Sequence, residues 1–342
     1  MAYTTIKKPS DYFNTKLYTG NGTDNHGITG VGFQPDFTWI KPRNEARGHA
    51  LFDAVRGATK MIISNESSAE GTYATSLKSF DSDGFNLGTS NDVNKSSNTH
   101  VAWNWLANGA GVANTDGSIS STVSANTTSG FSIVKWIGTG SAGTIGHGLN
   151  AEAQVIIVKK LNSSESWFSY HKPLGNTGRL VLSTNDAVAN DAGYWNSTTP
   201  TNQVFYVTSN GSNNASNDTY IAYCFADVQG YSKVGGSYVG NGNADGTFVY
   251  TGFKPAFIIV KPTSGAEHWT MFDNKRLGYN PDNNQLYPNL NSPDATADEL
   301  DILSNGFKIR STTGRLNTSG VSHIYMTFAE EPLVGDNPAT AR

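Results

Sequence analysis

Cysteine is almost absent: the 342-residue chain has one, Cys224. No internal disulfide can form, so the fold is not expected to depend on an oxidising compartment. Cys224 stands in an apolar run, TyrIleAlaTyrCysPhe over residues 220–225, and reads as a buried, inert thiol. Charge is scarce too, at 15% of residues against about 25% in an average soluble domain. The net charge of −4 and the lack of a basic run argue against nucleic acid as a partner, because phosphate binding needs a basic footprint. No stretch approaches the ~18 consecutive apolar residues of a membrane-crossing helix, so no membrane insertion is expected. The opening MAYTTIKKPSDYF has no apolar signal-peptide core. It predicts synthesis in a cytoplasm and, for any action outside the cell, exit by another route, such as lysis. Helical periodicity is nearly missing as well; only residues 295–303 read as a turn or two of helix.

What is abundant is glycine, with 36, together with Ser, Thr, Asn and 11% aromatics. That is the composition of a β-protein with long polar loops. Three landmarks recur in order. An aromatic is followed by a Gly-x-Gly turn at Tyr18-Thr19-Gly20-Asn21-Gly22, Trp136-Ile137-Gly138-Thr139-Gly140 and Tyr238-Val239-Gly240-Asn241-Gly242. An apolar strand then ends in Lys41, Lys159 or Lys261. The aromatic-to-lysine spacing is 23 residues each time: 18 to 41, 136 to 159 and 238 to 261. Later come Phe85, Phe205 and Phe307, and a closing strand at Val101-Ala102-Trp103, Ile221-Ala222-Tyr223 and Ile324-Tyr325-Met326. Chance does not hold that register three times.

Short β-branched and aromatic runs, separated by turn signals such as Asp83-Gly84, Asn210-Gly211 and Asn305-Gly306, predict an all-β fold. We expect three tandem diverged β-sandwich repeats of jelly-roll or lectin-like type, each about 100 residues, stacked one after another. The boundaries read as an N-terminal docking arm (1–12), a first unit (13–108), a Gly/Ser/Thr-rich linker (109–129), a second unit (130–228), a third unit (229–332) and a C-terminal tail (333–342).

No catalytic constellation emerges. The three lysines read as strand ends meeting water. Asp53 with Arg56 and Asp273 with Arg276 match in position, but the second unit has His171 and Lys172 there, so turn caps with surface ion pairs are expected. The loops around Asp83 and Asp245 lack the closing glutamate of a calcium loop, and the seven histidines never reach zinc-ligand spacing. No metal or cofactor is expected. The Gly-x-Gly turns precede strands rather than helices and read as hairpin turns, not phosphate cradles. Tyr194, Trp195 and Tyr287 lie in long polar stretches and are the candidate glycan-contact aromatics, since exposed rings stack on sugar faces. A hydrolase would need facing carboxylates; Asp294, Asp298, Glu299 and Asp301 in the third unit are where to look.

With the repeat laid out, the chain resembles a virion-associated protein family of tailed phages, especially those of marine bacteria. The resemblance covers essentially the whole chain. It rests on MAYTTI at 1–6, YTGNG at 18–22, YVGNGNADGT at 238–247, GFKPAFIIVK at 252–261, FAEEPLV at 328–334 and PATAR at 338–342. It implies a non-enzymatic structural place on the virion surface, as fibre, spike or capsid decoration, and host-surface attachment. The partners implied are other virion proteins and a host-surface glycan, with a homo-oligomer, trimeric by analogy with phage fibres. No functional residue carries over. The alternative is a carbohydrate-binding lectin or glycan depolymerase.

Overall fold

The computed structural model describes residues 3–277, 280–281, 283–335 and 338–340. The fold is all-β, built from antiparallel sheets arranged as sandwiches. One four-strand order occurs three times. It is Phe13–Thr19, Thr99–Trp105, Phe37–Pro42, Ala50–Asp53, then Phe131–Ile137, Thr219–Phe225, Val155–Lys160, Phe168–His171. The last set is Ser232–Val239, Ser322–Pro332, Phe253–Pro262, Thr270–Asp273. Smaller sheets lie over these: His26–Thr29 with Gly84–Leu87 and Leu77–Asp81, Gly143–Gly146 with Val204–Val207, and Phe248–Tyr250 with Gly306–Ile309 and Leu300–Leu303.

Side chains alternate across a strand, and here both faces are buried. Ile156 and Val158 point into the second unit's own sandwich core, with Ile145, Phe205 and Cys224. Val155 and Ile157 point the other way, into a core shared by all three units. Ile258 and Val260 against Phe257 and Ile259 repeat the division in the third unit. This is why the central strands read as unbroken apolar runs instead of alternating ones. The units are therefore not stacked in series. Their inner sheets back onto one common core, in which Phe13, Trp105, Phe257 and Phe328 meet at ring-centroid distances of 4.8–6.2 Å.

Several expectations change. Residues 109–129 are not a plain connector: Val112–Asn114 and Ser121–Asn126 extend the second unit's inner sheet, with Ser121–Asn126 pairing along Phe131–Ile137. The arm is anchored, with Ile6 buried in the shared core and the Tyr3 hydroxyl donating to Gly252 O at 2.7 Å. Met1 and Ala2 of the arm, and residues 336, 337, 341 and 342 of the tail, lie outside the described residues. Residues 295–303 form no helix; Ala295–Ala297 and Leu300–Leu303 are strands. Asn210 is not a hairpin turn but the cap of the one-turn helix Gly211–Asn214, accepting from Ser212 N.

Candidate functional site

The recurring chemistry-bearing residues are the natural place to look for a site. They lie in the joints between units. Asp53 and Arg56 are both fully buried and ion-paired. Asp53 Oδ1 caps its own turn through Arg56 N at 2.8 Å, while Oδ2 accepts from the Tyr223 hydroxyl of the second unit at 2.7 Å. Asp273 and Arg276 repeat this: Oδ1 accepts from Arg276 N at 2.9 Å, and Oδ2 accepts from Arg276 Nε at 2.6 Å and from Trp103 Nε1 of the first unit at 3.0 Å. These are interior locks, not the surface pairs their sequence suggests. The hydrophobic cover comes from the neighbouring unit, which sequence distance hides.

The third joint shows what the lock does. Strand register places Asp53, His171 and Asp273 at equivalent positions, opposite Phe37, Val155 and Phe257. It places Trp103, Tyr223 and Met326 at another, opposite Trp39, Ile157 and Ile259. Where the donor becomes Met326, the acceptor becomes His171 and the arginine position becomes Leu174. All three members change together, as expected of one interaction: a buried charge left without its partner costs more than replacing the whole set with apolar groups. Burial pushes the His171 imidazole down to about 3, and neither ring nitrogen has a hydrogen-bond partner.

The lysines are also interior. Each is fully shielded, and its ammonium donates to the next residue's carbonyl: Lys41 to Pro42 O at 2.6 Å, Lys159 to Lys160 O at 2.8 Å, Lys261 to Pro262 O at 3.2 Å. Lys159 also reaches Ser67 O of the first unit and Lys261 reaches Asn185 O of the second, at 3.2 and 3.4 Å. Desolvation lowers each to about 8. A four-carbon stem along an apolar strand can be covered completely when the head finds carbonyls, so the strand ends do not meet water.

Indoles eight residues past two of these lysines complete the pattern. Trp167 Nε1 donates to Ile63 O at 2.9 Å, and Trp269 Nε1 donates to Val181 O at 3.0 Å. His49 holds the same position in the first unit and faces the main chain of Tyr287 in the third. The joints thus close in a ring: second unit onto first, third onto second, first onto third.

A second recurring element was missed in the sequence. Asn94, Asn214 and Asn317 end one-turn helices, each five residues before a closing strand that starts at Thr99, Thr219 or Ser322. Each side chain ties down the Gly-x-Gly turn. Asn94 Nδ2 donates to Gly88 O at 2.7 Å and Thr23 O at 2.9 Å, and its Oδ1 accepts from Asn21 N at 2.9 Å. Asn214 and Asn317 do the same with Ser141 O, Thr208 O and Thr139 N, and with Asn243 O, Ser311 O and Asn241 N. The first glycine is required: a Cβ on Gly20, Gly138 or Gly240 would come within 2.1–2.4 Å of a carbonyl oxygen. These turns carry the chain from inner to outer sheet and are not hairpins. The constant five-residue spacing was the available signal.

The candidate glycan aromatics are placed otherwise than expected. Tyr194 and Trp195 sit in the one-turn helix Ala192–Trp195 and are 6% and 1% exposed. Trp195 Nε1 donates to Gly178 O at 3.2 Å, and the Tyr194 ring lies 4.6 Å from the Arg179 guanidinium. Their rings pin a loop and present no face to a sugar. Tyr287 is half-buried, between Arg315 and His268 at 5.7 Å each. Of the third-unit acids, Asp298 is exposed and the other three are paired with arginines. Asp294 pairs with Arg43 and Arg276, Glu299 with Arg315, Asp301 with Arg310. Asp83 accepts from Gly30 N and Gly32 N, and Asp245 pairs with Lys308. Among the described residues no group of three or more His, Cys, Asp or Glu is placed to hold a metal. Cys224 is buried, and burial raises its thiol. An open cleft of about 540 Å³ is lined by Ser120, Thr122, Lys135 and Ile137 of the second unit and by Val55 of the first. Two exposed rings that the sequence reading passed over, Phe248 and Tyr250, lie on the third unit's outer sheet.

Fold and joints together define a β-sandwich protein whose recurring polar residues serve its own assembly. The chain belongs to the family described as a domain of unknown function, DUF7483, whose model matches residues 8–332. No curated protein matches it significantly.

Proposed function

We propose that this protein is a non-enzymatic structural component of a tailed-phage virion surface, as fibre, spike or capsid decoration, acting in host attachment. The observation that carries the reading is the fate of the recurring polar residues. Asp53, Arg56, Asp273, Arg276 and the three lysines are all enclosed, and their partners are other parts of the same chain. A site that turns over substrate needs such groups at a cleft; here they rigidify a body. The whole-chain resemblance to virion-associated proteins gives the reading its place. Other virion proteins and a host-surface glycan are the proposed partners, with a homo-oligomer, trimeric by analogy, as the assembled form.

The test is placement. Gradient-purified particles should carry the chain in fixed stoichiometry, and cryo-microscopy should resolve its density on capsid or tail. Its absence from purified infectious particles would overturn the proposal. The depolymerase reading predicts reducing ends released from capsular glycan; the arginine pairing of Asp294, Glu299 and Asp301 speaks against it.

A further inference from the structure

The third unit's outer sheet departs from its counterparts in one respect. Its outward positions form two rows, Tyr250 beside Gly306 and Leu303, and Phe248 beside Lys308 and Asp301. Phe248 is 43% exposed and Tyr250 58%. Register puts Gly27 and Thr29 at these places in the first unit, and Thr144 and Gly146 in the second. The fold therefore builds this sheet without any ring there. Phe248 and Tyr250 thus expose apolar surface that the two counterpart sheets do without.

We propose that this face is a binding platform for a neutral saccharide, with Tyr250 and Phe248 as the stacking surface and Lys308, Arg310 and Asp245 as its polar rim. Two rings at alternate positions of one strand stand side by side on the same face. Gly306 stands between Tyr250 and Leu303 in the register, and no larger residue fits there, because a Cβ would fall 2.0 Å from Val249 O. The Tyr3 hydroxyl, bonded to Gly252 O, braces the Tyr250 side of the platform.

The polar rim sets the ligand's charge. Lys308 pairs with Asp245 at 2.8 Å, and Arg310 with Asp245 at 3.6 Å and with Asp301. Two cations balance two anions, which suits hydroxyl groups better than an acidic sugar. Aromatic side chains bury about 150–250 Å² when fully covered, so the two half-exposed rings offer on the order of 200 Å². A stable protein interface needs ~800 Å² per partner. The patch fits one or two sugar rings, not a protein. It rests on the virion-surface reading only for its use in attachment.

The test uses the full chain in native gels cast with laminarin, mannan, dextran, xylan or galactan, and a printed array of neutral oligosaccharides. At least one neutral glycan should retard the wild type. Phe248→Thr with Tyr250→Thr, which puts at each place the threonine that one of the two counterpart sheets carries there, should weaken binding at least tenfold with an unchanged melting temperature, while Tyr250→Phe keeps most of it. No retention by any neutral glycan, retention untouched by removing both rings, or binding to acidic glycans alone would each overturn the proposal. So would rings needed for docking to particles but not for sugar. Sugar binding by a chain absent from particles would leave this site standing and remove the virion reading.

Discussion

The Tyr223 hydroxyl donates a 2.7 Å hydrogen bond to the Asp53 carboxylate across 170 residues of sequence, at a point where both side chains are buried. This contact joins the second unit to the first, and the Trp103–Asp273 bond, also spanning 170 residues, joins the first to the third. A buried carboxylate beside a buried guanidinium tolerates its surroundings only while every partner is present.

Tyr223→Phe should therefore lower stability by about 1–3 kcal/mol, the range for stranding one buried polar partner. Asp53→Ala should cost about 3–5 kcal/mol, because it takes from the buried Arg56 its closest carboxylate and leaves only the longer 3.3 Å pair with Glu70. Denaturant unfolding of both variants checks the order. Equal, negligible effects would mean the lock is wet and carries little.

Asn94→Ala should cost about 2–4 kcal/mol, since it strands Gly88 O, Thr23 O and Asn21 N inside a turn that cannot refill the space. Asn94→Asp should be no better, because a carboxylate oxygen then faces the two carbonyls. The same substitution at Asn214 or Asn317 should cost a similar amount. Thermal melts of the three single variants give the comparison.

Acid should weaken the fold through its histidines. Desolvation lowers His100 to about 4 and His171 to about 3, and His49 well below its ordinary value. The unfolded chain takes up protons near pH 6.5, the folded chain only far lower. The histidine contribution is thus complete above pH 6.5 and is lost as pH drops through 6 toward 4, with each such histidine contributing up to about 1.4 kcal/mol per pH unit. His171→Phe should reduce that slope by one histidine's share, as read from urea midpoints at pH 7, 5.5 and 4.5.

Alkali should act in the opposite sense at first. Lys41, Lys159 and Lys261 lose their protons at about 8 when folded but near 10.4 when unfolded. Between those values the unfolded chain holds more protons, so stability rises with pH. Above about 10 the buried hydroxyls of Tyr18, Tyr223, Tyr231 and Tyr238, all raised by desolvation, keep protons the unfolded chain loses, and stability falls. A stability maximum on the alkaline side, flattened by Lys159→Met, is the expected profile.

Much of this architecture was legible in the sequence, and the reasons are local. The 23-residue spacing from Tyr18, Trp136 and Tyr238 to the lysines follows strand and turn lengths, and the β-class follows runs such as residues 256–261. The joints were not legible, because Asp53 looks like any turn-capping aspartate until Tyr223 arrives from another unit. The burial of Lys41 was hidden for the same reason. Residues 109–129 looked like a linker because their Ser/Thr/Gly composition suits an edge strand as well as a loop. Tyr194 and Trp195 were drawn toward the surface by polar neighbours, though a one-turn helix folds both rings inward.

The central claim is that the three units are one closed body around a shared core, not three modules on a string. Urea unfolding of the full chain, followed by tryptophan fluorescence and far-ultraviolet circular dichroism, tests it most directly. The account predicts one coincident transition that Asp53→Ala and Asp273→Ala each shift as a whole. Separate transitions, with each substitution moving only its own, would contradict it.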